Sequence, residues 1–289
     1  MKKRDYSLLA IHLAAVRAAV TRFADKGGWV MSSHVAMSMM MALFPFILFV
    51  VALAGSLSQN IPNDEVIDLV FGSWPEEVAA PIVSELRAVL ASSNSGLITM
   101  GGVLAIYFAS NGVDAVRVAM TRAYHDTDTR PYWRARLICI GLVVAGGALV
   151  LLAAFLDLVL PIYTNMLKDA VPEQMTSWLD GVGFSWGFVI AMPALAVLGC
   201  HLILPGGRHG LLQILPGVIL TWILAALAGW GFSIYISRFA SYSATYAGLA
   251  GAMAALIFLY LNSAILILGA EYNGALLSAG KQRKAMDDT

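Results

Sequence analysis

The chain has 289 residues, of which 59% are hydrophobic and 12% charged, and its formal net charge is zero. A soluble domain carries about 25% charged residues, so this composition leaves too little polar surface to face water. The balanced charge implies no bulk attraction to nucleic acid.

Six stretches, 27–63, 88–113, 137–156, 181–207, 209–237 and 239–270, contain no Lys, Arg, Asp or Glu. Each reaches or exceeds the ~20 residues that a helix needs to cross the hydrocarbon core of a bilayer. A β-barrel would alternate apolar and polar residues with period two, whereas 142–155 is apolar on every side. The sequence therefore predicts an all-α polytopic membrane protein, one membrane domain over 1–289. Its transmembrane helices are expected at 30–57, 96–116, 137–160, 182–204, 211–237 and 246–275, between a cytoplasmic segment 1–27 and a cytoplasmic tail 276–289.

The N-terminal segment is basic and then apolar, but His12 and Arg17 interrupt the apolar run, and a cleaved signal needs that run unbroken. Leu9, Leu13, Val16, Val20 and Phe23 share one face, which predicts an amphipathic helix, either on the membrane surface or packed under the bundle. In the first span, Pro45 predicts a kink. Met37, Met39, Met40 and Met41 form a soft face suited to packing or to lining a path for a greasy substrate.

The segment between the first two spans is the longest loop. Val78, Ile82, Leu86 and Val89 predict a short amphipathic helix within it. Pro193 is expected to bend the fourth span, and Pro216 to open the fifth, where proline is tolerated. Small residues four apart (Ala225, Gly229, Ser233 and Ser237, then Ala247, Gly251 and Ala255) predict close packing of the last two spans as an antiparallel hairpin. Cys139 and Cys200 have no metal-type spacing and are expected to be reduced packing residues.

Loop charges orient the chain by the positive-inside rule. With the N-terminus in the cytoplasm, only Arg87, Lys168 and Arg238 of the 18 basic residues fall outside. Both termini are then cytoplasmic and the outer loops acidic.

Ionisable residues at membrane depth cost at least ~2.5 kcal/mol on insertion scales, so each needs a reason. His34, Asn111, Asp114, Glu271 and Asn273 fall near the inner ends of three different spans. Asn111, Asp114 and Arg117 are spaced three apart, which favours an Asp114–Arg117 pair. Two readings follow: a polar vestibule open to the cytoplasm, with Glu271 as its chief group, or boundary residues that anchor helices. Asp157, His201 and His209 read as interface or core residues. No phosphate-binding loop, metal constellation or cofactor motif is present, and nothing in the sequence fixes an oligomeric state.

Several strings recur in a familiar order: Ala42-Leu43-Phe44-Pro45, Arg122-Ala123-Tyr124, Arg130-Pro131-Tyr132-Trp133-Arg134-Ala135-Arg136, Leu215-Pro216-Gly217, Phe232-Ser233-Ile234-Tyr235, Tyr242 to Gly248, and Leu268-Gly269-Ala270-Glu271-Tyr272-Asn273. Over roughly residues 20–280 they resemble the YihY / virulence factor BrkB family of bacterial inner-membrane proteins. The Met-rich Ser32-Ser33-His34 region departs from the aromatic and aliphatic residues usual there. The resemblance implies a six-helix inner-membrane protein associated with envelope integrity, serum resistance and, in one member, lipopolysaccharide-precursor export. It also carries a tRNA-processing ribonuclease label, which this sequence does not support because it lacks a metal cluster, a soluble catalytic domain and a strongly basic surface. The expectation is a non-enzymatic transporter or flippase-like protein for a lipid or amphiphile. Membrane lipids would be its partners, with no nucleic acid and no cofactor. The alternative is a non-catalytic scaffold for envelope biogenesis.

Overall fold

A computed structural model describes residues 8–57, 83, 84, 87, 95–125, 127–167, 182–239 and 247–287. Among the described residues the protein is entirely helical. Its helices are α1 (Leu8–Asp25), α2 (Gly28–Leu57), α3 (Ser95–Ala123), α4 (Tyr132–Leu167), α5 (Val182–Ile203), α6 (Leu211–Phe239) and α7 (Ala247–Asp287). Of the amphipathic helix expected around Val78–Val89 the described residues are Val83, Ser84 and Arg87, all helical, and the acidic outer loops and the 240–246 turn lie outside the described residues.

Among the described residues four apolar runs are long enough to cross a membrane: Gly102–Ala123, Tyr132–Leu149, Leu211–Tyr235 and Ala252–Gly280. Their outward faces carry Val103, Val144, Leu212, Ile223, Leu227 and Met253, all exposed. Such a surface is unfavourable in water and natural in lipid. This is a multi-pass membrane protein.

Three helices overrun the expected spans, because the membrane boundary does not end a helix but local chemistry does. α3 continues through Asp114 and Arg117 to Ala123 and stops where His125 takes a left-handed conformation, φ +59°. That position usually belongs to glycine. α4 begins five residues early, with Pro131 accepting from the amides of Arg134 and Ala135 (2.9 and 3.2 Å). α7 continues to Asp287, so most of the expected tail is helical.

α1 ends as its sequence suggests, with Gly27 at φ +74° turning the chain directly into α2. The face that α1 docks differs from expectation. Ala15 and Ala19 pack on Tyr272 and Ala275 of α7, and His12 Nδ1 meets the Tyr272 hydroxyl at 2.6 Å. Leu13, Val16 and Val20 point outward, and of the expected apolar stripe Phe23 is buried. Small side chains let the backbones approach, so the alanine face docks and the larger aliphatics remain free for lipid.

The main core lies where the first half of α2 and the second halves of α3 and α7 meet the end of α5 and the start of α6. It contains Val35, Val116, Met120, Leu204, Ile214, Val218 and Ile267. Met39 packs against it, close to Gly112 of α3, while Met37 and Met41 face outward. Cys139 is buried, Cys200 half-buried, and both are free thiols.

α6 and α7 run antiparallel, with Gly217 beside Gly269 at one level and Phe232 against Phe258 (5.1 Å) at another. Among the described residues a close approach lies at Gly217 and Gly269, while the side chains of Ser237, Ala247 and Gly251 in the expected small-residue row are not described. A Cβ at Gly217 would overlap the Gly269 carbonyl and the Asn273 side chain, and one at Gly269 would overlap Thr221, whereas one at Gly229 meets open space. Pro216 forces this arrangement. It stands inside α6, where its ring disturbs the preceding turn. The amide of Gly217 then donates to Asn273 Oδ1 (2.7 Å), and Asn273 Nδ2 donates to the Ile214 carbonyl (2.8 Å). One side chain of α7 repairs the interrupted backbone of α6.

The α3–α4 loop is held by charge. Asp128 accepts from the backbone and side chain of Arg130 (Nε at 2.8 Å) and from Arg117. Arg130 in turn donates to the carbonyls of Ile203 (3.2 Å), Leu204 (2.7 Å) and Pro205 (3.1 Å). It thereby satisfies the exposed end of α5. Gly206 gives the loop room, since a Cβ there would stand 2.9 Å from Asp128 Cα. The Arg130 hydrogen bonds, opposed by burial and aided by the charges of Arg130 and Arg117, hold the Asp128 carboxyl at about 2, below its ordinary 3.8.

Two outcomes follow for the detergent-purified protein. Gly217→Ala should destabilise by about 1–3 kcal/mol through overpacking, while Gly229→Ala should leave the thermal midpoint unchanged or raised; equal midpoints for the two variants would refute the close approach. Because the folded pKa of Asp128 is depressed, its contribution is complete above about pH 4 and is lost as pH falls through about 2. Asp128→Asn should therefore cost on the order of 2 kcal/mol at pH 7. Its midpoint should converge on that of the unmodified protein between pH 4 and 2, and a constant gap across that range would count against the linkage.

Candidate functional site

Glu271 projects from α7 into a cavity of about 200 Å³ between α1, α2, α3 and α7. Three basic side chains, Arg22, Lys26 and Arg122, share this lining with Glu271, Phe23 and Ile267. Arg22 and Lys26 are one helical turn apart on the same side of α1 as Ala15 and Ala19, so docking the alanine face brings both cations to the cavity. α2 begins at Gly28 on the same wall, which adds the positive end of its dipole.

His125 sits between the two signs of charge. Its Nδ1 lies 3.2 Å from Lys26 Nζ, and its Nε2 lies 3.1 Å from Arg22 Nη1 and 3.4 Å from Glu271 Oε2. A neutral ring has one donor and one acceptor nitrogen. Arg22 and Lys26 can only donate, so each ring nitrogen faces a cation as an acceptor, and a neutral ring accepts from one of them at a time. The Glu271 contact is an ion-pair distance without hydrogen-bond geometry: Oε2 accepts no hydrogen bond among the described residues, although the side chain is only 5% exposed. The left-handed backbone of His125 costs about 1–3 kcal/mol, and it holds this ring at the junction. Gly274 permits the approach, since a Cβ there would overlap the Ala123 carbonyl and stand 3.1 Å from His125 Cδ2.

Asn273, two residues beyond Glu271, faces the other way into a buried network. Its Nδ2 donates to the Tyr124 hydroxyl (2.8 Å), and that hydroxyl donates to His201 Nδ1 (2.7 Å). This order leaves the proton of His201 on Nε2, which has no partner among the described residues. His209 stacks on the Tyr124 ring, with centroids 4.7 Å apart. His201, expected as a core or interface residue, is fully buried.

Asp114 belongs to a third group. Arg117 donates to it from Nε at 2.7 Å and to Asp128 from Nη1, and Cys139 Sγ lies 3.8 Å away. The expected Asp114–Arg117 pair is therefore formed, and it ties α3 to α4 and to the loop. Asn111 is half-buried on α3, and His34 is exposed on α2 outside the cavity wall. Asn262 donates to its own helix at the Phe258 carbonyl (2.8 Å). Asp157 lies within α4.

The residues expected at one cytoplasmic level thus divide among separate networks, and only Glu271 lines the cavity. Arg22, Lys26 and His125 join it there without being anticipated from the sequence, whereas Arg122 is a partner that the boundary reading allows. The available signals were the i, i+4 basic pair on the alanine face of α1 and a histidine directly after the apolar end of α3. An aromatic and basic collar surrounds the start of α4, where Arg134 lies over the exposed Trp133 (5.0 Å) and Arg136 over Tyr107 (5.1 Å). Such pairs suit a membrane–water interface.

The chain resembles proteins of known sequence over nearly its full length. A putative ribonuclease-like protein, YfkH, of Bacillus subtilis is 27% identical over 272 residues, covering 93% of this chain and 96% of the relative. A UPF0761 membrane protein of Xanthomonas oryzae is 22% identical over 275 residues, covering 92% of this chain, and another from Xanthomonas campestris matches to the same extent. The chain spans 61% of the length of these Xanthomonas relatives. No solved structure matches. The virulence factor BrkB family matches residues 19–288. With these apolar helices and this coverage, the chain belongs to the virulence factor BrkB family of membrane proteins.

Proposed function

We propose that the chain is a six-span inner-membrane protein, with both termini cytoplasmic, that moves a lipid or other amphiphile rather than catalysing a reaction. The observation that carries this reading is the Glu271 carboxylate, buried beside a cavity among three cations, with one oxygen lacking a hydrogen bond among the described residues. A buried charge in a membrane helix is costly, and anchoring alone would favour full pairing, as at Asp128. Incomplete pairing suits a group that exchanges partners. The basic inner loops support the orientation. The ribonuclease-like name belongs to a relative 27% identical to this chain.

Glu271→Gln should lower translocation of a fluorescent phospholipid in proteoliposomes by at least about tenfold, the equivalent of one lost charge interaction, at unchanged protein abundance. Undiminished transport would remove Glu271 from the role. No transport by the unmodified protein, together with a stoichiometric co-purifying partner, would favour the scaffold. Reporter fusions after Lys281 should read as cytoplasmic and fusions within 64–85 as external; the reverse pattern would overturn the orientation.

A further inference from the structure

The geometry points to a binding site for a zwitterionic aminophospholipid headgroup in the cavity between α1, α2, α3 and α7, with the cations taking the phosphate and Glu271 taking the ammonium. This inference rests on the amphiphile-transport reading and names its ligand class. Arg22, Lys26 and Arg122 line the cavity, together with Gly28 at the start of α2. Clustered cations and a helix N-terminus both favour a phosphate. A free anion alone would not suit the same space, because Glu271 also lines it and would repel an anion.

Glu271 makes the site specific. Its side chain is 95% buried, and Oε2 receives no hydrogen bond among the described residues, so it offers an acceptor to a donor-bearing cation. A primary ammonium supplies both charge and N–H donors, whereas a quaternary ammonium supplies charge alone. The size fits a headgroup, since about 200 Å³ compares with about 30 Å³ for one water in the liquid, and the acyl chains must lie outside. The surroundings provide for them. Trp29 stands edge-on to Phe23 of the cavity wall (4.9 Å, 85°) and stacks with Tyr260 of α7 (6.2 Å). Trp29 and its neighbour Val30 are exposed. A half-exposed tryptophan beside an exposed aliphatic residue marks the depth at which headgroups give way to hydrocarbon.

The test uses the purified full chain in detergent, with lipid-dependent thermal stabilisation measured for phosphatidylethanolamine, phosphatidylcholine and phosphatidylglycerol of identical acyl chains, and for inorganic phosphate. Phosphatidylethanolamine should bind about tenfold more tightly than either other lipid, one hydrogen-bonded ion pair being of that order. Inorganic phosphate should not match it. Glu271→Gln should reduce phosphatidylethanolamine to the phosphatidylcholine level, while Arg122→Ala should weaken all three lipids together. Equal binding of the three lipids by the unmodified protein, a preference for phosphatidylglycerol, stabilisation by phosphate alone, or retained selectivity in Glu271→Gln would each overturn the assignment. Lipid translocation is read separately. Ethanolamine selectivity without translocation keeps this site and discards transport, and translocation without selectivity does the reverse.

Discussion

The bundle depends on the contact between Asn273 and the backbone of α6. Pro216 removes a donor from that helix and disturbs its preceding turn, which in lipid cannot be repaired by water. Asn273 supplies an acceptor to Gly217 and a donor to Ile214. It can do so only because Gly217 and Gly269 carry no side chains at the crossing. The proline, the two glycines and the asparagine act as one unit. They fix how α7 rotates, and therefore which way Glu271 faces.

That rotation separates two kinds of polar chemistry on one helix. Asn273 faces α6, α3 and α5 through Tyr124 and His201, in a nearly satisfied network that specifies helix positions. Glu271 faces α1 and the end of α3, where cations and His125 surround it without completing its hydrogen bonds. The loop at Asp128 shows the contrast. Its carboxylate is fully engaged and caps a helix through Arg130. Complete pairing in one place and incomplete pairing in another distinguish holding the fold from offering a surface to a ligand.

Much of the helical fold is legible in the sequence, since charge-free runs of bilayer length leave few alternatives to helices. Helix ends are less legible. α3 and α7 pass through Asp114 and Lys281 because charge does not stop a helix, whereas backbone conformation ends α3 at His125 and starts α4 after Pro131. The Asp114–Arg117 pair is local and readable at a spacing of three. The cavity joins residues about 100 and 250 positions apart in the sequence, and no periodicity announces that. A small-residue row shows where helices could approach, and Gly229 within it meets open space. The actual crossing was set by a helix defect at Pro216, which demanded a partner.

The order of synthesis gives these contacts another meaning. α7 touches α1, α2, α3 and α6, yet it is translated after all of them. Until it enters the membrane, Arg22 and Lys26 have no carboxylate opposite them, and the interrupted turn of α6 has no asparagine to mend it. Among the described helices α7 acts as a keystone: its arrival closes the backbone defect of α6 and brings Glu271 to the cations of α1 in one step of biogenesis.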